Sequence, residues 1–583
     1  MKRSMKKGLN GLLVGTLCIT TLLTGCGGSA KETGTNSKSA NKAESTKKKT
    51  TEKNPLADGI RGKTDPTDEE ISMVNDTLED SYLGDIFDTK IPNDYSNYPM
   101  EGETLDIWMP NDAVLSSVVD DVNDHRVFKQ IEELTGIKLN FIIPPLGEET
   151  TNFNVMIASG DLPDIIVDAG RYVGGVNAGV EEGAYLPLND IVEEKMPNYN
   201  EWRNSDEERR VNSVQDDGTL AAVQGLGAYN EWAWFGMLIK QEALDKTGME
   251  VPETIDEWHD FLVACKEQGY SQPLNYGSTY GQIFTGILNG AYGAWDWMYI
   301  DKDGKAAWGP GADQTKEYLQ MMQDWYKEGL INKDWATADF NQRMAEASSD
   351  DCAVIMDSPD TMWGYWKQDN GIDFVNAMNP VLKKGDKPAM TAHNFKNVGW
   401  SAAITTQCEN VDAAAAFLDF GFSKKGWEVY NYGSYGDVHL IDDEGKPYYP
   451  EDSLMYNDPD GQPVSNLIWK YRIHSFANIR DEHNSNPLIV AKGSYSGDIR
   501  KDWTENMDDS MTMPPVTYTP EEASREGELG TILSTMRNEY FSKIIMGELP
   551  VDDYDKFMKE AKAQGLDEFM EIHQKALERY EKR

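Results

Sequence analysis

Between residues 105 and 167 the hydrophobic period switches back and forth, and few folds accommodate that switching. Leu105-Asp106-Ile107-Trp108-Met109 alternates and runs into Pro110-Asn111-Asp112, a strand ending in a turn. Val127, Phe128, Ile131 and Leu134 then recur at helical spacing, with Gly136 just past them. Residues 137–143 return to a strand pattern. Phe153, Met156 and Ile157 form a helical face stopped by Gly160, and 162–167 give a third apolar strand. Strand, helix, strand, helix, strand predicts a parallel sheet covered by helices, hence an α/β domain. Ligands of such sheets bind beyond the carboxyl ends of the strands. Asn111, Asp112, Asp168 and Ala169 are therefore the first candidate contacts, although Asp112 and Asp168 are equally placed to cap helices.

The alternation continues along the chain. Thr254-Ile255-Asp256-Glu257 opens a helix in capping-box style, and Trp258 and Leu262 extend its apolar face. Residues 316–328 form another helix, ended by Gly329. Short strands follow at 353–356 and 401–405, then an alanine-rich helix at 411–420 and a helical tail from 520. A chain of 583 residues is long enough for two or more domains, each with its own core.

The first 25 residues read as a secretory signal. Lys2, Arg3, Lys6 and Lys7 give a positive start, and an apolar stretch of about 15 residues follows, too short to cross a bilayer comfortably. It ends in Leu23-Thr24-Gly25-Cys26-Gly27, which resembles the lipobox of bacterial lipoproteins, so Cys26 is expected to carry lipid and become the mature N-terminus. Residues 26–58 hold no aromatic residue and a single large aliphatic, Leu56. Such a segment buries too little surface to offset its ordering entropy and is expected to be a disordered tether.

A formal net charge of −44 argues against nucleic acid as a partner, because phosphate recognition needs a basic face. Cys265, Cys352 and Cys408 are too few for a disulfide framework, and no Cys/His cluster suggests a structural zinc. Asp301-Lys302-Asp303-Gly304 has its glycine too early for a calcium loop and reads as a hairpin turn. No phosphate loop, nucleophile elbow or zinc-protease motif is present. No cofactor and no metal are expected.

The runs NFNVMIASGDLPDIIV (152–167), VPETIDEWHDFL (251–262) and YKEGLINKDW (326–335) resemble the family 1 extracellular solute-binding proteins of ABC transporters. So do ITTQCENVDAAAAFLDFGFSKKGWEVYNYGSYG (404–436) and FSKIIMGELPVDDYDKFMKEAKAQGLDEF (541–569). The likeness runs from about residue 100 onward and is greatest to the large lipoprotein members of Gram-positive bacteria. It implies a two-lobe, type II periplasmic-binding-protein-like fold with a hinge and an interlobe ligand cleft. Lobe one would comprise 100–222 plus 400–432, and lobe two 236–398 plus 433–583. Hinge crossings would lie near Ala221-Ala222-Val223 and Trp400-Ser401-Ala402. It further implies a monomer outside the cell membrane that captures a carbohydrate, expected to be an oligosaccharide, and delivers it to a permease without catalysis.

In that family aromatic rings stack on sugar faces, because the axial C–H face of a pyranose is apolar. Trp232, Trp295 and Trp363 lie between elements and are candidate platforms, with Trp363 the best carry-over. Trp400 and Tyr435 join them from a hinge and a turn. For each ring, core packing is the competing reading. Where many relatives have Glu-Gly, this chain has Tyr435-Gly436, so no carboxylate role transfers there. A surface-anchored polysaccharide-degrading enzyme, or the same fold binding a peptide or another nutrient, are the alternatives.

Overall fold

The computed structural model describes residues 91–230, 232–277, 287–390, 397–442, 445–473 and 475–583, the side chains of 397–399 excepted. The leader, Cys26 and the tether lie outside the described residues. In chain order the described strands are β1 (Thr104–Trp108), β2 (Lys138–Ile142), β3 (Ile165–Val167), β4 (Val223–Gly227), β5 (Gly236–Lys240), β6 (Leu274–Asn275) and β7 (Met298–Ile300). They continue with β8 (Ala306–Trp308), β9 (Val354–Asp357), β10 (Phe374–Ala377), β11 (Asn397–Ile404), β12 (Leu440–Ile441), β13 (Pro447–Tyr448) and β14 (Ile479–Arg480).

The strand–helix alternation of the first part does build a parallel sheet. Its order is β14-β4-β11-β3-β1-β2. β1 runs parallel to β2 and β3, and β14 parallel to β4, while β11 is antiparallel to β3 and β4. The carboxyl ends of β1, β2, β3, β4 and β14 therefore share one edge with the amino end of β11. Period-two alternation covers both faces. Leu105, Ile107, Ile165 and Val167 face one core, and Trp108, Ile166 and Ala403 face the other.

A second sheet, β10-β5-β9-β6, carries the other lobe. β5 is antiparallel to β10 and β9, and β6 is parallel to β9. Gly236, the first residue of β5, pairs with Asp357, the last of β9, so this sheet too gathers strand ends on one edge. Met237, Ile239, Val354 and Met356 face a core shared with the C-terminal helices, and Leu238 and Ile355 face a smaller one with Trp366 and Trp503. The helix Ile255–Glu267 begins with the expected capping box, Thr254 and Glu257 each bonding the other's backbone N–H. The Asp301–Gly304 turn closes the β7–β8 hairpin, with Asp301 accepting from the N–H groups of Asp303 and Lys305 at 2.9 Å each.

Two features differ from the boundaries expected from sequence. The family likeness puts residues 433–480 in lobe two, but Val438, Tyr449, Met455, Leu467, Tyr471 and Ile479 pack in the first core. The reason is β14, which adds to the first sheet beside β4 with Ile479 opposite Leu226. The hinge positions also shift. Val223 and Ala402 are paired inside the first sheet, as are Gln224 and Ser401. The passages between lobes lie beyond them: 228–235 joins β4 to β5, and 378–396 joins β10 to β11. A third passage, 481–495, has no counterpart among the expected hinge crossings. It leads from β14 to the helix Ser496–Asn506, whose Ile499 and Trp503 belong to lobe two.

The C-terminal helices also reach back to lobe one. Arg579 and Arg583 both hold Asp216, with Nε–oxygen distances of 2.5 and 3.0 Å, and Tyr580 donates to Asn212 at 2.9 Å. Among the described residues no helix is long and apolar enough to cross a membrane.

Candidate functional site

The first and third passages converge on a compact knot of rings and charges. Trp232, on the first passage, stacks on His483 of the third, with centroids 3.8 Å apart and planes 14° apart. Tyr229 stacks on the same imidazole at 4.9 Å and 5°. The Trp232 backbone N–H donates to His483 Nε2 at 3.3 Å, which requires that nitrogen to be unprotonated. Burial, with Arg500 nearby adding repulsion, pushes the imidazole down to about 3, so the ring is neutral at physiological pH. Asn484 donates to the Tyr229 hydroxyl at 3.1 Å and to Asp481 Oδ1 at 3.0 Å. Asp481 caps the helix Glu482–Ser485, and burial pushes its carboxyl up to about 7.

Arg500 ties this knot. Its side chain is fully buried; Nε donates to the Ala233 carbonyl and an Nη to that of Trp232, both at 3.2 Å. The other Nη meets Asp360 at 3.0 Å, and the guanidinium lies 4.3 Å from the Trp234 ring centroid. A planar five-donor group suits this task, because it satisfies two carbonyls and a carboxylate at once. Asp360 opens the helical segment after β9, and Trp363 follows one turn later. Trp363 is 5% exposed and packs against Ile468 and Leu488, with Tyr495 edge-on at 5.1 Å. Its indole N–H is buried without an acceptor. Ile468 lies on the helix Val464–Tyr471, whose Leu467 and Tyr471 belong to the first core, so Trp363 is packed between the two lobes.

The other sequence candidates distribute as follows. Asn111, Asp168 and Trp400 stand at the strand-end edge of the first sheet: Asn111 follows β1, Asp168 follows β3, and Trp400 sits half-buried near the start of β11. Asn111 donates to the Pro144 carbonyl at 3.0 Å and accepts from the Asp112 N–H and the Ser116 hydroxyl. Asp112 is a helix cap, its Oδ1 taking the N–H groups of Val114 and Leu115 at 2.8 and 3.0 Å. Asp168 makes no cap bond. It holds Arg171 at 2.6 Å and adopts the left-handed conformation, φ 59°, the one non-glycine residue to do so among those described. That conformation is strained for a residue with a Cβ, by roughly 1–2 kcal/mol, and such strain clusters at ligand sites.

Trp232 and Trp363 are thus brought together in the knot, with Asn111, Asp112, Asp168 and Trp400 on the edge of the first sheet that faces the passages. Trp295 is 1% exposed within lobe two; a Cβ on Gly309 would strike its backbone and one on Gly290 would crowd its ring. Tyr435 is exposed on lobe one, its N–H donating to Gln130 Oε1 at 3.3 Å and its ring edge-on to His439. Sequence reasoning missed His483, Arg500, Asp360 and Tyr495. Residues 480–484, Arg-Asp-Glu-His-Asn, are so polar that they resemble a solvated turn. Their signal is the pairing of opposite charges that lets them be buried. Among the described residues no group of three or more His, Cys, Asp or Glu side chains is arranged to hold a metal ion.

Comparison with known proteins places this architecture. The profile of the family described as bacterial extracellular solute-binding protein matches residues 119–426, more than half of the chain. The chain is 22% identical to the fructooligosaccharide ABC transporter substrate-binding protein FusA of Streptococcus pneumoniae over 535 residues, 83% of this chain and 93% of that one. It is 21% identical over 466 residues to the polygalacturonan/rhamnogalacturonan-binding protein YtcQ of Bacillus subtilis, covering 77% and 88% of the two chains. The crystal structure of the alginate-binding protein AlgQ2 superposes with a TM-score of 0.67 at 21% identity, over 82% of this chain and 98% of that one. These proteins are by name binding proteins, and the shared fold is the two-lobe periplasmic-binding type. Two sheets joined by passages between two lobes agree with that fold, and the chain is a member of the bacterial extracellular solute-binding protein family.

Proposed function

We propose that this chain captures an oligosaccharide outside the cell membrane and delivers it to an ABC transporter permease, without altering it. Trp363 carries the reading. It is an aromatic platform at the end of a lobe-two strand, packed between the lobes, with an indole N–H that no protein acceptor takes up. Sugar rings present an apolar C–H face to such a platform and hydroxyls to polar neighbours. Trp232, Trp400, Asn111, Asp112 and Asp168 are the further contacts this reading assigns, Asp112 through the carboxylate oxygen its cap leaves over. FusA and YtcQ, the relatives covering most of the chain, are by name carbohydrate-binding.

Mechanistically, ligand touching both lobes stabilises the arrangement in which they meet, and its absence releases them. Cys26 serves as the lipid anchor and the 26–58 tether gives reach, at the outer face of a Gram-positive membrane, with the protein acting as a monomer.

Thermal-shift measurements against a glycan panel test the function, since a ligand that binds the native state raises its melting temperature by mass action. A shift with intact oligosaccharides, and unchanged glycans after long incubation, is expected. A shift only with peptides would overturn the carbohydrate reading, and released product would overturn the binding-only reading. Loss of membrane fractionation in Cys26→Ser tests the anchor.

A further inference from the structure

Strand β6 places a polar side chain where its neighbours are apolar. Leu274 and Tyr276 face the main core of lobe two, so Asn275 between them turns to the opposite face, where Met344, Ala347 and Cys352 pack. Asn275 is 1% exposed, and neither the oxygen nor the nitrogen of its side chain has a partner. A buried amide in that state is destabilising, so its presence calls for a reason.

The amide lines a cavity of about 290 Å³, bounded also by Asn332, Glu346, Ser349, Asp351 and Cys352. That volume matches the lower end of the range for small-molecule sites, about 300–1,000 Å³. The cavity lies at the amino end of β9. The strand, about 10 Å from Val354 to Asp357, separates it from the edge where Gly236 pairs with Asp357. We propose that this cavity is a second binding site, apart from the lobe junction, for a small neutral polyol.

Donors and acceptors select the occupant. Asn275 presents two N–H donors and an acceptor side by side. Glu346 accepts from the side chains of Gln342 at 3.0 Å and Asn332 at 3.3 Å, and Asp351 accepts from the Ser271 hydroxyl at 2.5 Å; both carboxylates keep lone pairs beyond these bonds. Lysine, arginine and histidine do not line the cavity. The Lys240 ammonium, 4% exposed, donates to the Ser349 carbonyl at 2.6 Å. An anion would thus meet two carboxylates and no lining cation, which is unfavourable away from bulk water. A metal ion or an alkylammonium would suit the carboxylates but accept nothing from the Asn275 N–H groups. Burial pushes the Cys352 thiol up, so that wall is uncharged.

A hydroxyl donates and accepts at once. Neighbouring hydroxyls can take an N–H of Asn275, give to its oxygen and give to Glu346. The lining carries no aromatic ring, so nothing there selects the apolar face of a pyranose, and a short open-chain polyol meets all that the walls offer.

Saturation-transfer NMR and calorimetry on the purified full chain test this, with glycerol, erythritol and xylitol as probes. The native chain is compared with Asn275→Leu, Glu346→Ala and Trp363→Ala. Saturable binding of a polyol is expected in the native chain and equally in Trp363→Ala, weakened about tenfold or more in Asn275→Leu and in Glu346→Ala. Asn275→Leu should keep or raise the denaturant midpoint, because it replaces an unpaired amide by an apolar group of similar size. Glu346 is only half-buried, so its variant decides the matter should Asn275→Leu fail to fold. No saturable polyol binding to the native chain overturns the proposal, as does undiminished binding in Glu346→Ala. Binding lost in Trp363→Ala alone would move the polyol to the lobe junction and overturn it too. Saturation by calcium chloride or ethylammonium chloride, with none by the polyols, would overturn the assigned ligand class.

Discussion

Trp232 and His483 are joined twice, face to face through their rings and edge-on through the Trp232 N–H on Nε2. The second link holds only while the imidazole is neutral. Chain crossing and protonation thus meet in one pair of residues drawn from two different passages.

That pair makes acid sensitivity predictable. The folded-state value of His483, about 3, lies below the ordinary value of 6.5. The unfolded chain therefore binds more protons than the native one between those values, and the stability this group contributes is present above pH 6.5 and lost as pH falls toward 3. The slope reaches about 1.4 kcal/mol per pH unit within that window. Urea denaturation at intervals from pH 4 to 7 should show a shallower acid limb for His483→Gln than for the native chain. Superimposable limbs would show that His483 is not buried neutral. Asp481, raised to about 7, works in the opposite sense and loses its contribution as pH rises from about 4 to 7.

Arg500→Met should be strongly destabilising, by about 3–5 kcal/mol, because Asp360 and two carbonyls lose their donors in a buried site. Asp360→Asn, which keeps a side-chain acceptor facing the guanidinium, should cost less. Denaturant midpoints at unchanged m-value check the order of the two, and equal midpoints would contradict the assigned geometry.

The tie between Asp216 and Arg579 and Arg583 spans the lobes. Burial pushes the Asp216 carboxyl up, but hydrogen bonds from both arginines and Thr517 outweigh it and hold it below the ordinary range. Asp216→Ala is expected to cost about 1 kcal/mol or less, since the cluster is part-exposed and screened. It should also enlarge the radius of gyration of the ligand-free protein in small-angle scattering. An unchanged scattering profile would assign the cluster to stability alone.

Trp363→Ala removes the ring between the lobes and should weaken glycan binding by at least tenfold, about 1.4 kcal/mol, with a smaller loss for Trp363→Phe. Isothermal titration with the best ligand from the panel decides this, and undiminished affinity in Trp363→Ala would move the site elsewhere.

Much of the fold can be read from residue pattern because β1 and β2 alternate, β3 is a short apolar run, and the helices between them are ended by Gly136 and Gly160. β14 cannot be read that way. Ile479–Arg480 is too short to express any period, and its place is fixed by pairing with β4, more than 250 residues earlier. Trp363 was legible as an aromatic just after a strand. Arg500 was not, because its meaning depends on Asp360, 140 positions away in sequence, and on carbonyls that carry no residue signature. His483 lay hidden among charges that ordinarily mark solvent; buried pairing inverts that expectation.

The interleaving of the passages has a consequence for how the protein comes to exist. The first sheet draws strands from residue 104 to residue 480, and the second lobe's main core is completed only by Leu529, Phe541, Phe569 and Leu577. A chain released from its N-terminus therefore cannot finish either lobe until nearly all of it has emerged, and it must carry unpaired strand edges meanwhile. Assembly is governed by non-local closure, slow by its entropy, so that secretion and folding are coupled over almost the full length of the molecule.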